Sequence, residues 1–144
     1  MLDVDKNTFE EEVLKADGYV FVDFYGDGCV PCQALMPKVH EFAETYGDKL
    51  KFTSLNTTKA RRLAIAQKVL GLPVMAIYKD GEKVEELVKD DCTEESIEAM
   101  IKKYSNPENR CFLNHRLNLL KNKKGESHNY GYFRRQKSNN YRRP

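Results

Sequence analysis

Tyr19-Val20-Phe21-Val22-Asp23-Phe24-Tyr25-Gly26-Asp27-Gly28-Cys29-Val30-Pro31-Cys32 is the stretch on which the fold turns. Its first seven residues are almost continuously apolar and β-prone, the pattern of a central strand covered on both faces. Gly26-Asp27-Gly28 ends that strand. Past the two cysteines, Leu35, Val39, Phe42 and Tyr46 recur at spacings of four, three and four, which is helical. The cysteines therefore sit between a buried strand and the first turn of a helix.

Outward from this stretch, strands and helices alternate. Asn7 followed by Glu10 has the form of a capping box, with Phe9, Val13 and Leu14 as the apolar face of a first helix ended by Asp17-Gly18. Lys51–Asn56 reads as a strand. Thr58 is placed to cap a helix carrying Leu63, Ala66 and Leu70, which Gly71-Leu72-Pro73 breaks. Val74–Lys79 is a second buried-type strand, Asp80-Gly81 a hairpin turn, and Lys83–Val88 the returning partner. Thr93 caps a last helix with Ile97, Met100, Ile101 and Tyr104 on one side. The predicted order is α, β, α, β, α, β, β, α, with room for a short strand at Leu2–Asp5. Such an order predicts an α/β fold with a mainly parallel central sheet of four to five strands, flanked by helices and closed by an antiparallel hairpin.

Charge divides the 144-residue chain in two. Residues 1–104 hold 14 Lys and Arg against 20 Asp and Glu, whereas residues 105–144 hold 10 against 2. The second segment also carries eight Asn against two in the body, and only Phe112-Leu113 and Leu119-Leu120 offer apolar pairs. It reads as a basic, Asn-rich, disordered extension of a domain at 1–104. Its Arg134-Arg135, Lys137 and Arg142-Arg143, interleaved with Tyr130, Tyr132, Phe133 and Tyr141, raise the option of single-stranded nucleic acid. Charged tails are weakly specific, however, and an incidental extension is the preferred reading. A membrane-surface role lacks an amphipathic helix or lipidation signal.

The start, Met1-Leu2-Asp3-Val4-Asp5, has neither the basic residues nor the apolar run of a secretory signal, and no run of about 18 apolar residues occurs. The expected location is the cytoplasm, where thiols are kept reduced. Four cysteines there point to catalytic, metal-binding or inert thiols rather than to a disulfide framework. Zinc would need a second pair, but Cys92 and Cys111 are far apart and His40 lies eight positions after Cys32. No metal is expected, and Cys92 reads as a solvent-facing or half-buried bystander rather than a regulatory thiol.

A dithiol at a helix N-terminus has a specific use. Unpaired amides and the positive end of the helix dipole favour thiolate over thiol. Cys29, outermost, is the expected nucleophile toward a disulfide, and Cys32, one turn in, the thiol that resolves the mixed disulfide. Pro31 suits the first turn because it has no N–H to leave unsatisfied. Asp23, alone in an apolar strand six residues before Cys29, is either a structural polar group bonded to backbone or a catalytic acid, and the expense of burying it idly favours the second.

With Val22-Asp23-Phe24, Cys29-Val30-Pro31-Cys32, Pro37, Gly71-Leu72-Pro73 and Lys79-Asp80-Gly81 in place, residues 1–104 resemble the thioredoxin family. The resemblance implies a thioredoxin fold and a general protein disulfide reductase cycling through a Cys29–Cys32 disulfide. Electrons would come from a flavin-dependent thioredoxin reductase, with no bound cofactor. It also implies a cis peptide bond before Pro73 that faces the dithiol, with Leu72, Gly28, Val30 and Pro31 around it. Asp23 would be a buried carboxylate acting on the proton of Cys32. Several positions depart from the family pattern. Gly28 and Tyr25 stand where Trp is common, Val30 where Gly is common, Ser54 for a Lys near the buried Asp, and Lys89-Asp90 around a loop Gly. The Gly28–Cys32 form looks most like thioredoxins of anaerobic amino-acid-fermenting bacteria, implying service to selenium-dependent glycine-reductase-type systems. The alternative is a thioredoxin-fold adaptor in which turnover is incidental, but an adaptor needs none of Cys29, Cys32, Asp23 and Pro73.

Overall fold

The computed structural model describes Met1–Glu108, and the expectation for the basic extension falls on residues outside that range from 109 onward. Five strands form one sheet: β1 (Leu2–Val4), β2 (Tyr19–Tyr25), β3 (Lys51–Asn56), β4 (Val74–Lys79) and β5 (Glu82–Val88), in the order β1-β3-β2-β4-β5. Three helices accompany them: α1 (Val30–Tyr46), α2 (Arg61–Ala66) and α3 (Glu94–Ser105). This is the thioredoxin fold.

The sheet is less parallel than the sequence suggests. β1 and β2 run parallel to β3, but β4 runs antiparallel to β2 and β5 antiparallel to β4. β4 thus begins at the end of the sheet where β3 finishes, although the 17 residues between them would suffice for a parallel crossover.

β2 lies at the centre because its composition demands burial. Val20, Phe21, Val22, Asp23 and Phe24 are all fully buried. Val20, Val22 and Phe24 face a core shared with Phe9, Leu55 and Tyr78. Tyr19, Phe21 and Asp23 point the other way. There Phe21 meets Phe52 at 5.0 Å between ring centroids and Tyr19 meets Tyr104 of α3, also at 5.0 Å. Each large apolar side chain buried in this way contributes about 1.5–3 kcal/mol.

Local signals held in some places and failed in others. Thr93 caps α3, its hydroxyl accepting from Ser96 N–H at 3.1 Å. Asp80 and Gly81 both take positive φ, as a tight hairpin turn requires. The capping box at Asn7 does not form. Asp5 Oδ1 accepts from the N–H groups of Asn7 (2.7 Å) and Thr8 (2.9 Å) instead, because Asp5 stands where the chain leaves β1. Those backbone bonds, Asn7 first, hold the Asp5 carboxyl below its ordinary pKa. The helix that follows is only a short segment, Glu10–Leu14, closed by a wide bond from Lys15 N–H to Glu10 O. Thr58 does not cap α2 either. That helix starts after Ala60 without a side-chain cap and stops at Ala66, so Ala60, Ala64 and Val69 are buried while Leu70 is 86% exposed.

Candidate active site

The chain turns sharply after β2, with Cys29 N–H bonded to Gly26 O at 3.2 Å. Cys29 is the N-cap of α1, in an extended conformation, and its Sγ accepts the N–H of Cys32 at 3.2 Å. Pro31 lies within the first turn. The two sulfurs are bonded, with Cα atoms 5.3 Å apart. Cys29 is half-buried and Cys32 only 3% exposed. The outer sulfur is thus within reach of a partner and the inner one is shielded. Val30 is 73% exposed beside them. Above Gly28 the space is open, since a Cβ built there meets nothing within 4 Å.

The loop before the dithiol is pinned from three sides. Asp27 Oδ1 accepts from Asn56 Nδ2 (2.7 Å), Asp27 N–H donates to Thr58 Oγ1 (3.2 Å), and Asp27 O accepts from Gln33 Nε2 (3.3 Å). This explains why Thr58 is unavailable to α2. A Cβ on Gly26 would lie 2.9 Å from Leu72 Cδ1, so glycine there lets the Leu72-Pro73 loop close against the dithiol loop.

The Leu72-Pro73 bond is cis. Pro73 is buried, and its carbonyl accepts from Lys89 N–H (2.8 Å) and from the Cys92 thiol (3.5 Å). Lys89 adopts φ +51°, left-handed backbone at the place where the family has glycine, and its side chain lies across Gly71. Cys92 is not the solvent-facing or half-buried bystander expected of it. It is 7% exposed, also donates to Leu87 O (3.2 Å), and burial pushes its thiol pKa up to about 11. His40 is exposed on α1, and Cys111 lies outside the described residues. Among the described residues no cluster of three His, Cys, Asp or Glu is arranged to hold a metal ion, and no helix is long and apolar enough to cross a membrane.

Asp23 is fully buried, and neither carboxylate oxygen has a hydrogen-bond partner. Desolvation alone raises its pKa to about 7, because an ion at that place has lost its water and gained nothing in return. Its neighbour across the β2–β3 ladder is Ser54, the residue standing where the family has Lys.

Sequence reasoning singled out Asp23, Cys29, Cys32 and Pro73, but not the residues that hydrogen-bond around them. Asn56, Thr58, Lys89 and Cys92 act through hydrogen bonds between segments far apart in the chain, and Gln33 reaches back six residues to Asp27. Only the polar Asn56-Thr57-Thr58 run at the end of an apolar strand hinted at such a role.

A buried dithiol partner bonded to a reachable sulfur at a helix N-terminus, set on this sheet order, is the equipment of a thiol–disulfide oxidoreductase. Comparison with known proteins agrees. The Thioredoxin family model matches residues 1–103, and the chain belongs to the thioredoxin family. It is 61% identical over 104 residues to a thioredoxin of Acetoanaerobium sticklandii, covering 72% of this chain and 99% of that one. It is 57% identical over 104 residues to a thioredoxin of Peptoclostridium acidaminophilum, covering 72% and 94%. The solved thioredoxin of Malassezia sympodialis superposes with a TM-score of 0.67 over 74% of this chain and 92% of that one, at 22% identity, a likeness of fold.

Proposed function

We propose that Cys29 attacks substrate disulfides and that Cys32 resolves the product, with Asp23 as the base for Cys32. The Cys29 thiolate attacks one sulfur of a protein disulfide and expels the other as thiolate. Cys32 gives its proton to Asp23 and attacks Cys29 Sγ, releasing the second substrate thiolate and closing the Cys29–Cys32 bond. Two electrons pass to the substrate. The observation that carries this assignment is the asymmetry of the pair: Cys29 half-buried and holding a backbone N–H, Cys32 enclosed. Leu72 and Pro73 dock extended substrate beside the dithiol, and the bare positions at Gly28 and exposed Val30 leave room for bulky partners.

The chain's own disulfide is then the redox centre and needs no bound cofactor. A flavin-dependent thioredoxin reductase returns the electrons in the cytoplasm. The Gly28–Cys32 form supports a selenium-dependent glycine-reductase-type system as one substrate. Insulin reduction with such a reductase and NADPH tests the scheme. Cys29→Ser should abolish turnover, whereas Cys32→Ser should attack once and stall as a mixed disulfide. Alkylation of the reduced protein at neutral pH that labels Cys32 ahead of Cys29 would reverse the assignment.

A further inference from the structure

Asp3, Ser54 and Asp23 stand in one row across three neighbouring strands. Asp3 pairs with Ser54 between β1 and β3, and Ser54 with Asp23 between β3 and β2. Residues paired in register point to the same face of a sheet. Exposure grades along the row, from Asp23 fully buried through Ser54 at 6% to Asp3 at the exposed edge. The Ser54 hydroxyl donates to Asp3 Oδ1 at 3.1 Å, and Tyr25, two residues beyond Asp23 on the same face, donates to the same oxygen at 3.5 Å. Donating to Asp3 leaves the Ser54 oxygen able to accept a hydrogen bond. Strands lie about 4.8 Å apart, yet neither Asp23 oxygen is within hydrogen-bond distance of Ser54. Bridging such an interval takes one water with polar partners on both sides.

We propose that Ser54 and Asp3 are the proton exit of the site, a relay that carries a proton between the Asp23 carboxyl and solvent through one bridging water. This rests on Asp23 being the base for Cys32. When Cys32 has given up its proton, Asp23 holds it as a neutral carboxyl in a place without bulk water. The carboxyl passes that proton to the bridging water, which passes one to Ser54 Oγ. Ser54 releases its own proton to Asp3 Oδ1, already its acceptor, and Asp3 sheds it to solvent. No charge beyond the single proton moves, and every group returns to its starting state once Ser54 reorients. The hydroxyl standing where the family has Lys is thus a conductor in place of a fixed charge. Tyr25 on β2 and Cys92 after β5 feel the Asp23 charge, which raises the pKa of both; neither is a cation, and desolvation alone shifts Asp23, so no ammonium competes with the relay.

The test is single-turnover reduction of a fluorescence-quenched disulfide peptide by the reduced full chain. It resolves the attack of Cys29 from the closure by Cys32. Ser54→Ala should slow closure about tenfold, a fraction of the usual gain from a placed acid–base group, while leaving attack within about twofold. Added imidazole should restore closure in Ser54→Ala, and Ser54→Thr should keep it without imidazole. Asp3→Asn, which preserves the hydrogen bond but cannot take the proton, should slow closure as well. Closure within about twofold of wild type in both Ser54→Ala and Asp3→Asn overturns the relay. So does slow closure in Ser54→Ala that neither imidazole nor Ser54→Thr relieves, because that marks a packing role. Asp23→Asn separates the two readings. Closure at the wild-type rate there overturns Asp23 as base, whereas slow closure there beside normal closure in Ser54→Ala overturns the relay alone.

Discussion

Replacing Asp23 by Ala should make the protein more stable and less active, and the gain should depend on pH in a defined way. The folded carboxyl has a pKa of about 7 against 3.8 unfolded. A pKa raised on folding means that folding takes up a proton between those values. The carboxyl is therefore neutral and harmless below pH 3.8, costs stability as pH rises from there, and reaches its full cost above about pH 7. At about 1.4 kcal/mol per pH unit, the cost is about 4 kcal/mol at pH 8 and about 2 kcal/mol at pH 5. Ala removes all of it but leaves a small cavity beneath α1, a loss of about 1–2 kcal/mol. The net expectation is a gain of about 2–3 kcal/mol at pH 8 and close to none at pH 5. Urea denaturation of the oxidised protein at the two pH values measures both numbers. A variant less stable than wild type at pH 8, or a gain no larger at pH 8 than at pH 5, would refute the account of Asp23 as an unpartnered buried acid. Single-turnover reduction by the same variant should show slower closure by Cys32, since its proton has lost its acceptor.

Two further substitutions probe how the site is held. Gly26→Ala places a methyl 2.9 Å from Leu72 Cδ1 and should lower stability by about 1–3 kcal/mol and slow insulin reduction; a melting temperature and rate equal to wild type would show that the two loops are not in firm contact. Lys89→Gly relieves a side chain held at φ +51°, worth about 1–2 kcal/mol, against a smaller loss from the freer unfolded chain; the expected outcome in thermal denaturation is a net gain below about 1 kcal/mol, and a loss of stability would mean that the Lys89 stem over Gly71 outweighs the strain.

What the sequence revealed and what it hid follow from the range of the interactions. The central strand, the dithiol at its end, the Asp80-Gly81 turn and the Thr93 cap are written in neighbouring residues, so periodicity and local chemistry suffice. Asp23 was legible as an acid in an apolar run. The antiparallel entry of β4 was not, because the 17 residues between β3 and β4 can return the chain to either end of the sheet, and Leu70 looked like part of a helical face until α2 ended four residues earlier. Thr58 and Asn7 are good caps by type. Each was outcompeted, Thr58 by the demand of Asp27 N–H and Asn7 by the better-placed carboxylate of Asp5. Cys92 reads as solvent-facing or half-buried, yet the turn after β5 rolls it inward against Pro73.

All the loops around the dithiol leave the same end of the sheet: 26–29 after β2, 56–58 after β3, 71–73 before β4 and 89–92 after β5. The Asp80-Gly81 turn lies at the other end, with Asp80 exposed. That polarity gives the molecule a handle. A tether attached at position 80, to an electrode or a bead, would hold every copy with its sulfurs outward. A surface-bound layer of this protein could then exchange electrons with proteins in solution, oriented by its own topology rather than by chance.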